Sequence, residues 1–146
     1  MAENALRKAR AGLEGAGDRT LVLGVDTDVV LDGRILGKAA GAAEARERLE
    51  ALSGRTHEVL SGVALLGTRE EPRTTLARSR VTFRPLTAET IELYLRSGEW
   101  RDRAGAYAIQ GLGSILIERL EGDFSNVVGL PIGTLLALAP GLFQKH

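Results

Sequence analysis

Apolar positions between residues 2 and 14 recur at helical spacing: Ala2, Ala5, Leu6, Ala9 and Leu13 share one face, and Gly15 to Gly17 predict the stop. The period then changes. Leu21-Val22-Leu23-Gly24-Val25 reads as a strand buried on both faces, and it runs straight into Asp26 and, two positions on, Asp28. Val29 to Leu36 follows with Asp32-Gly33 between apolar segments, the signature of a tight hairpin. A second helix is predicted over about 41–52, turning Ala42, Ala45, Leu49 and Leu52 inward, with Gly54 as its C-terminal cap. Its Glu44–Arg48 pair adds roughly a few tenths of a kcal/mol on a solvated face.

Thr56–Leu66 and Arg73–Phe83 read as strands, and the polar loop between them predicts antiparallel pairing. Pro85 ends the second strand, Thr87 caps a helix, and Ile91, Tyr94 and Leu95 form that helix's core face. Ser114–Leu120 predicts another strand and Pro131–Leu138 a closing helix. With no internal repeat, linker or low-complexity tract, the pattern predicts one α/β domain: a mixed twisted sheet flanked by helices, with a cleft at the strand ends.

Composition narrows the chemistry more than the fold. The 146 residues suffice to bury a real core, and 44% hydrophobic with 26% charged residues is ordinary for a globular chain. Nineteen basic and nineteen acidic residues cancel, so no global field draws in nucleic acid or an anionic membrane. The absence of Cys excludes disulfides, thiolate zinc sites and a Cys nucleophile, and suits a reducing cytoplasm. Two His exclude a His-rich metal centre, and no apolar run reaches transmembrane length. The expected partner is a small molecule.

Asp26 is the leading chemical candidate, because a carboxylate at the end of a buried strand needs a partner, a metal or a cleft. Asp28 would share its face and belongs at the solvated rim. Asp26, Asp28 and Asp32 do not make a calcium loop, since Val30 stands where an oxygen ligand is required. Lys38, after Gly37, suits phosphate contact and follows a strand that returns toward Asp26. Lys8 lies beside the apolar face of the first helix. The Gly-rich stretch from Arg103 to Gly113 is a close-approach loop rather than a dinucleotide fingerprint, and its Gln110 carries both a donor and an acceptor. His57 near Ser53 has no nucleophile elbow and reads as structural, and 123–126 reads as a helix-entry turn.

Six ordered segments together resemble the Maf family of nucleoside triphosphate pyrophosphatases. They are Gly24-Val25-Asp26-Thr27 with Val29-Val30, Gly37-Lys38, Leu52 to Val59, Val81 to Leu86, Arg103 to Gly111, and Glu121 to Pro131. The resemblance implies a Maf/inosine-triphosphatase-like fold over a single domain, 1–146. It also implies hydrolysis of a nucleoside triphosphate to the monophosphate and pyrophosphate with a divalent cation, Mg or Mn. The family's proton acceptor and metal position falls on Asp26, its phosphate-contacting lysines on Lys8 and Lys38, and its base-choosing positions on Thr27 and Gln110. Thr and Gln there resemble the branch acting on dTTP and UTP. A cytoplasmic homodimer is implied as well.

The departures set a second expectation. Arg103 stands where the family has Lys, Ala108 where it has Gly, and Ala39 where it has Pro. The family's opening strand and Pro-Arg-Arg phosphate loop, with the acid that follows them, have no counterpart before the Lys8 helix, so the chain reads as N-terminally truncated relative to the family. The competing expectation to an active pyrophosphatase is therefore a catalytically weak nucleotide-binding or cell-division regulatory protein.

Overall fold

The computed structural model describes residues 2–14, 21–67, 71–122 and 124–127. Helix α1 is Ala2–Glu14, strand β1 Leu21–Leu31, β2 Arg34–Leu36, helix α2 Ala42–Leu52, β3 Thr56–Gly67 and β4 Arg73–Phe83. Helix α3 is Ala88–Ser97, followed by a 3₁₀ turn over Gly111–Leu116, β5 Ile117–Gly122 and the short α4 Phe124–Val127. The predicted helix stop at Gly15–Gly17 and the closing helix at 131–138 lie outside the described residues. Among those described, no helix is long and apolar enough to cross a membrane.

The strands form one five-stranded sheet in the order β2-β1-β3-β4-β5. The expected mixture of strand directions is corrected here: all four pairings among the described strands are antiparallel. Short connections dictate this for β1–β2 and β3–β4, since parallel neighbours need a crossover. The one crossover, α2, spans from β2 to β3 on either side of β1, so the two strands it joins never pair. At the β1–β2 hairpin Asp32 and Gly33 both take positive φ, 50° and 78°, as an Asp-Gly turn matched to strand twist requires.

The second correction concerns Ser114–Leu120. Residues 111–116 form the 3₁₀ turn instead, and β5 begins only at Ile117. An acceptor outside the segment wins over its strand propensity: the Glu99 carboxylate takes the Leu112 and Gly113 amides and curls the chain there.

The two sheet faces are covered unequally. On one, Val29, Val59, Val81 and Phe83 pack with Ala45, Leu49 and Leu52 of α2 and with Ile91, Tyr94 and Leu95 of α3. Fully burying each of the large apolar side chains contributes roughly 1.5–3 kcal/mol. On the other face α1 lays Ala5 and Ala9 against Ala64 and Leu66. Gly24 makes that approach possible, because a Cβ there would collide with the Ala5 carbonyl oxygen. Thr87 caps α3 by accepting from the Thr90 amide at 3.1 Å, and Gly98 closes it in the left-handed region.

Candidate active site

Strand β1 pairs with β3 along residues 21–30 but with β2 only along 29–31. Among the described residues, then, residues 21–28 pair with another strand on one edge only. A cleft of about 530 Å³ opens at that edge, within the size range of small-molecule sites. Asp26 and Thr27 are consecutive on the strand, so their side chains leave on opposite faces. Both line the cleft because it wraps around the edge between those faces.

Helix α1 supplies the first wall. The Lys8 ammonium donates to the Val25 carbonyl at 3.1 Å and to Asp26 Oδ1 at 3.2 Å, and Asn4 Nδ2 donates to Asp26 Oδ2 at 3.4 Å. The Asp26 side chain is only 18% exposed against 58% for Lys8, so the carboxylate is the anchored partner and the ammonium the movable one. Asp28, on the same strand face, is pushed above the usual carboxylate range by burial first and by the Asp26 charge second. Its expected place at a solvated rim is thus only half right, since the residue is half-buried.

The second wall is the loop from Glu99 to Gly111. Lys38 is drawn against it by a β-bridge to Ala104, beside the Gly105 amide that donates to the Leu36 carbonyl at 2.8 Å. Gly105 is required there: its φ is 70°, and a Cβ would meet Val29 at 2.9 Å. Beneath the loop, His57 Nε2 and the Tyr107 hydroxyl are 2.7 Å apart, and both rings stack edge-on with Phe83. Burial pushes the His57 pKa down to about 4 and the Tyr107 pKa up. His57 is structural, as the sequence predicts. Ser53 is no nucleophile, because its hydroxyl accepts from the Leu86 amide at 2.7 Å. Of the segment 123–126, read as a helix-entry turn, Asp123 lies outside the described residues and 124–126 lie within α4, where the Asn126 amide donates to the Val59 carbonyl and Ser79 Oγ, both at 3.1 Å.

All five residues singled out from sequence, Lys8, Asp26, Thr27, Lys38 and Gln110, line this one cleft. Thr27 differs from expectation in one respect: its hydroxyl lies 2.9 Å from that of Ser61, so it is already engaged. Sequence reasoning missed Glu99, Asp102 and Tyr107, which also line the cleft, and Asn4, which holds Asp26. Glu99 left one faint signal, a carboxylate placed just past a helix end and before a Gly-rich turn rich in free amides.

The site fits a divalent ion only of a particular kind. Among the described residues no group of three His, Cys, Asp or Glu side chains converges to hold a metal alone. Asp26 offers one carboxylate, and Asp28 stands two residues on along the same strand face. That donor set suits a hard cation completing its shell with water and phosphate oxygens.

The sequence matches the family described as "Maf-like protein" over residues 1–140. It is 49% identical over 132 residues to a "dTTP/UTP pyrophosphatase" of Bacillus cytotoxicus, covering 90% of this chain and 68% of that protein. A protein of the same name from Moorella thermoacetica is 53% identical over 129 residues, 88% of this chain and 66% of its own length. One from Bacillus cereus is 48% identical over 132 residues, 90% and 64% respectively. The chain thus spans about two thirds of the length of these relatives. By its sequence match over residues 1–140, the chain belongs to the Maf-like protein family.

Proposed function

We propose that this chain is a nucleoside triphosphate pyrophosphatase, releasing the monophosphate and pyrophosphate, with dTTP and UTP as preferred substrates. One observation carries the reading: Asp26 shares a single cleft with two lysines from different elements, Lys8 and Lys38, and with the base-reading candidate Gln110. Hydrolysis breaks the α–β phosphoanhydride, so a base must take the proton of the attacking water while cations offset charge on the leaving pyrophosphate. Asp26 is the base. Lys8 and Lys38 take the phosphates, and Lys8 has to swing from its pairing with Asp26 to do so, which its exposure allows. Asp26 would be the protein ligand of a divalent cation, Mg²⁺ or Mn²⁺, which would supply Lewis-acid polarisation of the phosphates. Thr27 and Gln110 face the base, and the amide of Gln110 matches a pyrimidine edge. The proposal includes a cytoplasmic homodimer with no nucleic acid partner.

The experiment is pyrophosphate release measured side by side on dTTP, UTP, CTP and the purine triphosphates, with and without Mg²⁺ or Mn²⁺. Faster release from dTTP and UTP supports the reading. Preference for a purine would overturn the substrate assignment. Nucleotide binding without release would leave a nucleotide-binding regulator in place of an enzyme.

A further inference from the structure

A glutamine amide by itself does not choose between the two pyrimidine classes. Thymine and uracil present a ring N–H donor beside a carbonyl acceptor; cytosine presents a bare ring nitrogen beside an amino donor. An amide carries both functions on one rotatable end and satisfies either edge by turning over. Selectivity at Gln110 therefore depends on how firmly the chain around it is held, and the holding comes from the end of α3.

Glu99 Oε2 accepts from the Leu112 amide at 2.9 Å and Oε1 from the Gly113 amide at 3.1 Å, so one carboxylate clamps the two residues after Gly111. On the near side of Gln110, the Tyr94 hydroxyl accepts from the Ala108 amide at 2.9 Å. Residues 108–113 are thus tied down on both flanks of Gln110, by Tyr94 on one side and Glu99 on the other. The packing leaves no slack: a Cβ on Gly111, at φ 63°, would sit 2.6 Å from Glu99 Oε2, and one on Gly113 would collide with the Ala108 carbonyl oxygen. Charge-assisted bonds from a carboxylate to amides are the strong kind. Gln110 itself is exposed at the cleft, held by its neighbours.

We propose that Glu99 is a positioning residue for base selectivity: by clamping the Leu112 and Gly113 amides it fixes how Gln110 meets the base and so separates dTTP from dCTP. This rests on the reading of the cleft as a dTTP/UTP site. Glu99 acts through the loop, so its loss changes which base is accepted and leaves the phosphate end of the cleft as it was.

The test compares parent, Glu99→Ala, Glu99→Gln and Tyr94→Phe chains for kcat and KM on dTTP and dCTP, for affinity toward inorganic pyrophosphate, and for amide hydrogen exchange. The expected result for Glu99→Ala is a dTTP:dCTP selectivity ratio at least tenfold lower. The loss should fall mainly on KM, with pyrophosphate affinity within twofold of parent and faster exchange at Leu112 and Gly113. Glu99→Gln, which keeps one accepting oxygen, falls between, and Tyr94→Phe shifts the ratio the same way by less. A retained ratio in Glu99→Ala, or pyrophosphate affinity falling in parallel with that for dTTP, overturns the positioning role while leaving the proposed function standing. A parent chain that does not separate dTTP from dCTP overturns both.

Discussion

The two walls of the cleft are built on opposite principles. The α1 wall presents Lys8, Asn4 and Asp26 through side chain contacts of 3.1–3.4 Å, one partner of which is largely in water. Contacts of that kind contribute little to stability and rearrange easily. The loop wall is tied by backbone amides to Glu99 and Tyr94, and backed by the buried His57–Tyr107–Phe83 group. Charge that must move during a reaction sits on the loose wall, and shape that must not move sits on the fixed one. A triphosphate arriving with its own charge can displace the Lys8–Asp26 pairing, whereas a base meets a surface already set.

The largest effect expected from breaking this contrast is at Asp26. Asp26→Asn keeps the Lys8 and Asn4 neighbours nearly in place but removes the base, so turnover should drop roughly 10²–10⁴-fold in the pyrophosphate-release assay. Thermal stability should hardly change, because the wall is not a load on the core. Near-parental turnover in a folded Asp26→Asn chain would remove Asp26 from the chemistry.

How much of this was legible beforehand follows the same division. Contributions local in sequence were readable: the helical face of α1, the Asp32-Gly33 turn and the Thr87 cap; Asp26, expected at the end of a buried strand, lies instead in the middle of β1, which runs on to Leu31. Of the five site residues, Asp26, Lys38 and Gln110 carried a local signal in chemistry and neighbours, whereas Lys8 and Thr27 became site candidates only through the resemblance to the Maf family. The contacts that fix the loop wall were not readable. Glu99 and Leu112 are 13 residues apart, and His57 and Tyr107 are 50 apart, so neither pairing leaves a periodic trace. The same long-range carboxylate turned a strand-like sequence into a 3₁₀ turn, where local propensity lost to a tertiary acceptor.

On the loop wall the next largest effect belongs to His57. Its pKa is lowered to about 4 by burial, below the unfolded value near 6.5. The native state therefore resists a proton that the unfolded chain accepts, and stability should be full above about pH 6.5 and fall as the pH drops toward 4. The shift corresponds to about 3 kcal/mol across that window. Asp28 works against it: with its pKa raised, the native state takes up a proton more readily and gains stability as the pH falls toward the ordinary carboxylate value. Denaturant titrations at pH 7 and pH 4 should show the His57 loss in the parent and a flatter profile in His57→Gln. An equally steep profile in that variant would assign the acid sensitivity elsewhere.

A smaller steric change sharpens the contrast from the α1 side. Gly24→Ala drives a methyl into the Ala5 carbonyl and must push α1 off the sheet. Overpacking of this kind costs roughly 1–3 kcal/mol. The helix carries Lys8 and Asn4 with it, so affinity for inorganic pyrophosphate should fall while amide exchange at Leu112 and Gly113 stays at the parental rate. Coupled losses on both walls would mean that the two are one mechanical unit.

The smallest effect expected is at Thr27, and it tests whether the fixed side of the cleft reads the base through every polar group it displays. The Thr27 hydroxyl already lies 2.9 Å from that of Ser61, and either oxygen can be the donor. Where it donates to Ser61, only its lone pairs remain for a base; where it accepts, its hydrogen is free. Gln110 has no such prior engagement of its amide among the described contacts, and the residue is exposed at the cleft. Thr27→Val preserves shape and removes the hydroxyl, so the dTTP:dCTP ratio should change about threefold or less, near the net worth of one neutral hydrogen bond. Gln110→Ala should change it more. Ser61, fully buried, would lose its partner, and the stability cost of roughly 1–3 kcal/mol should exceed the cost in selectivity. If Thr27→Val instead shifted the ratio more than Gln110→Ala, base choice would lie with the strand β1 hydroxyl and not with the clamped loop.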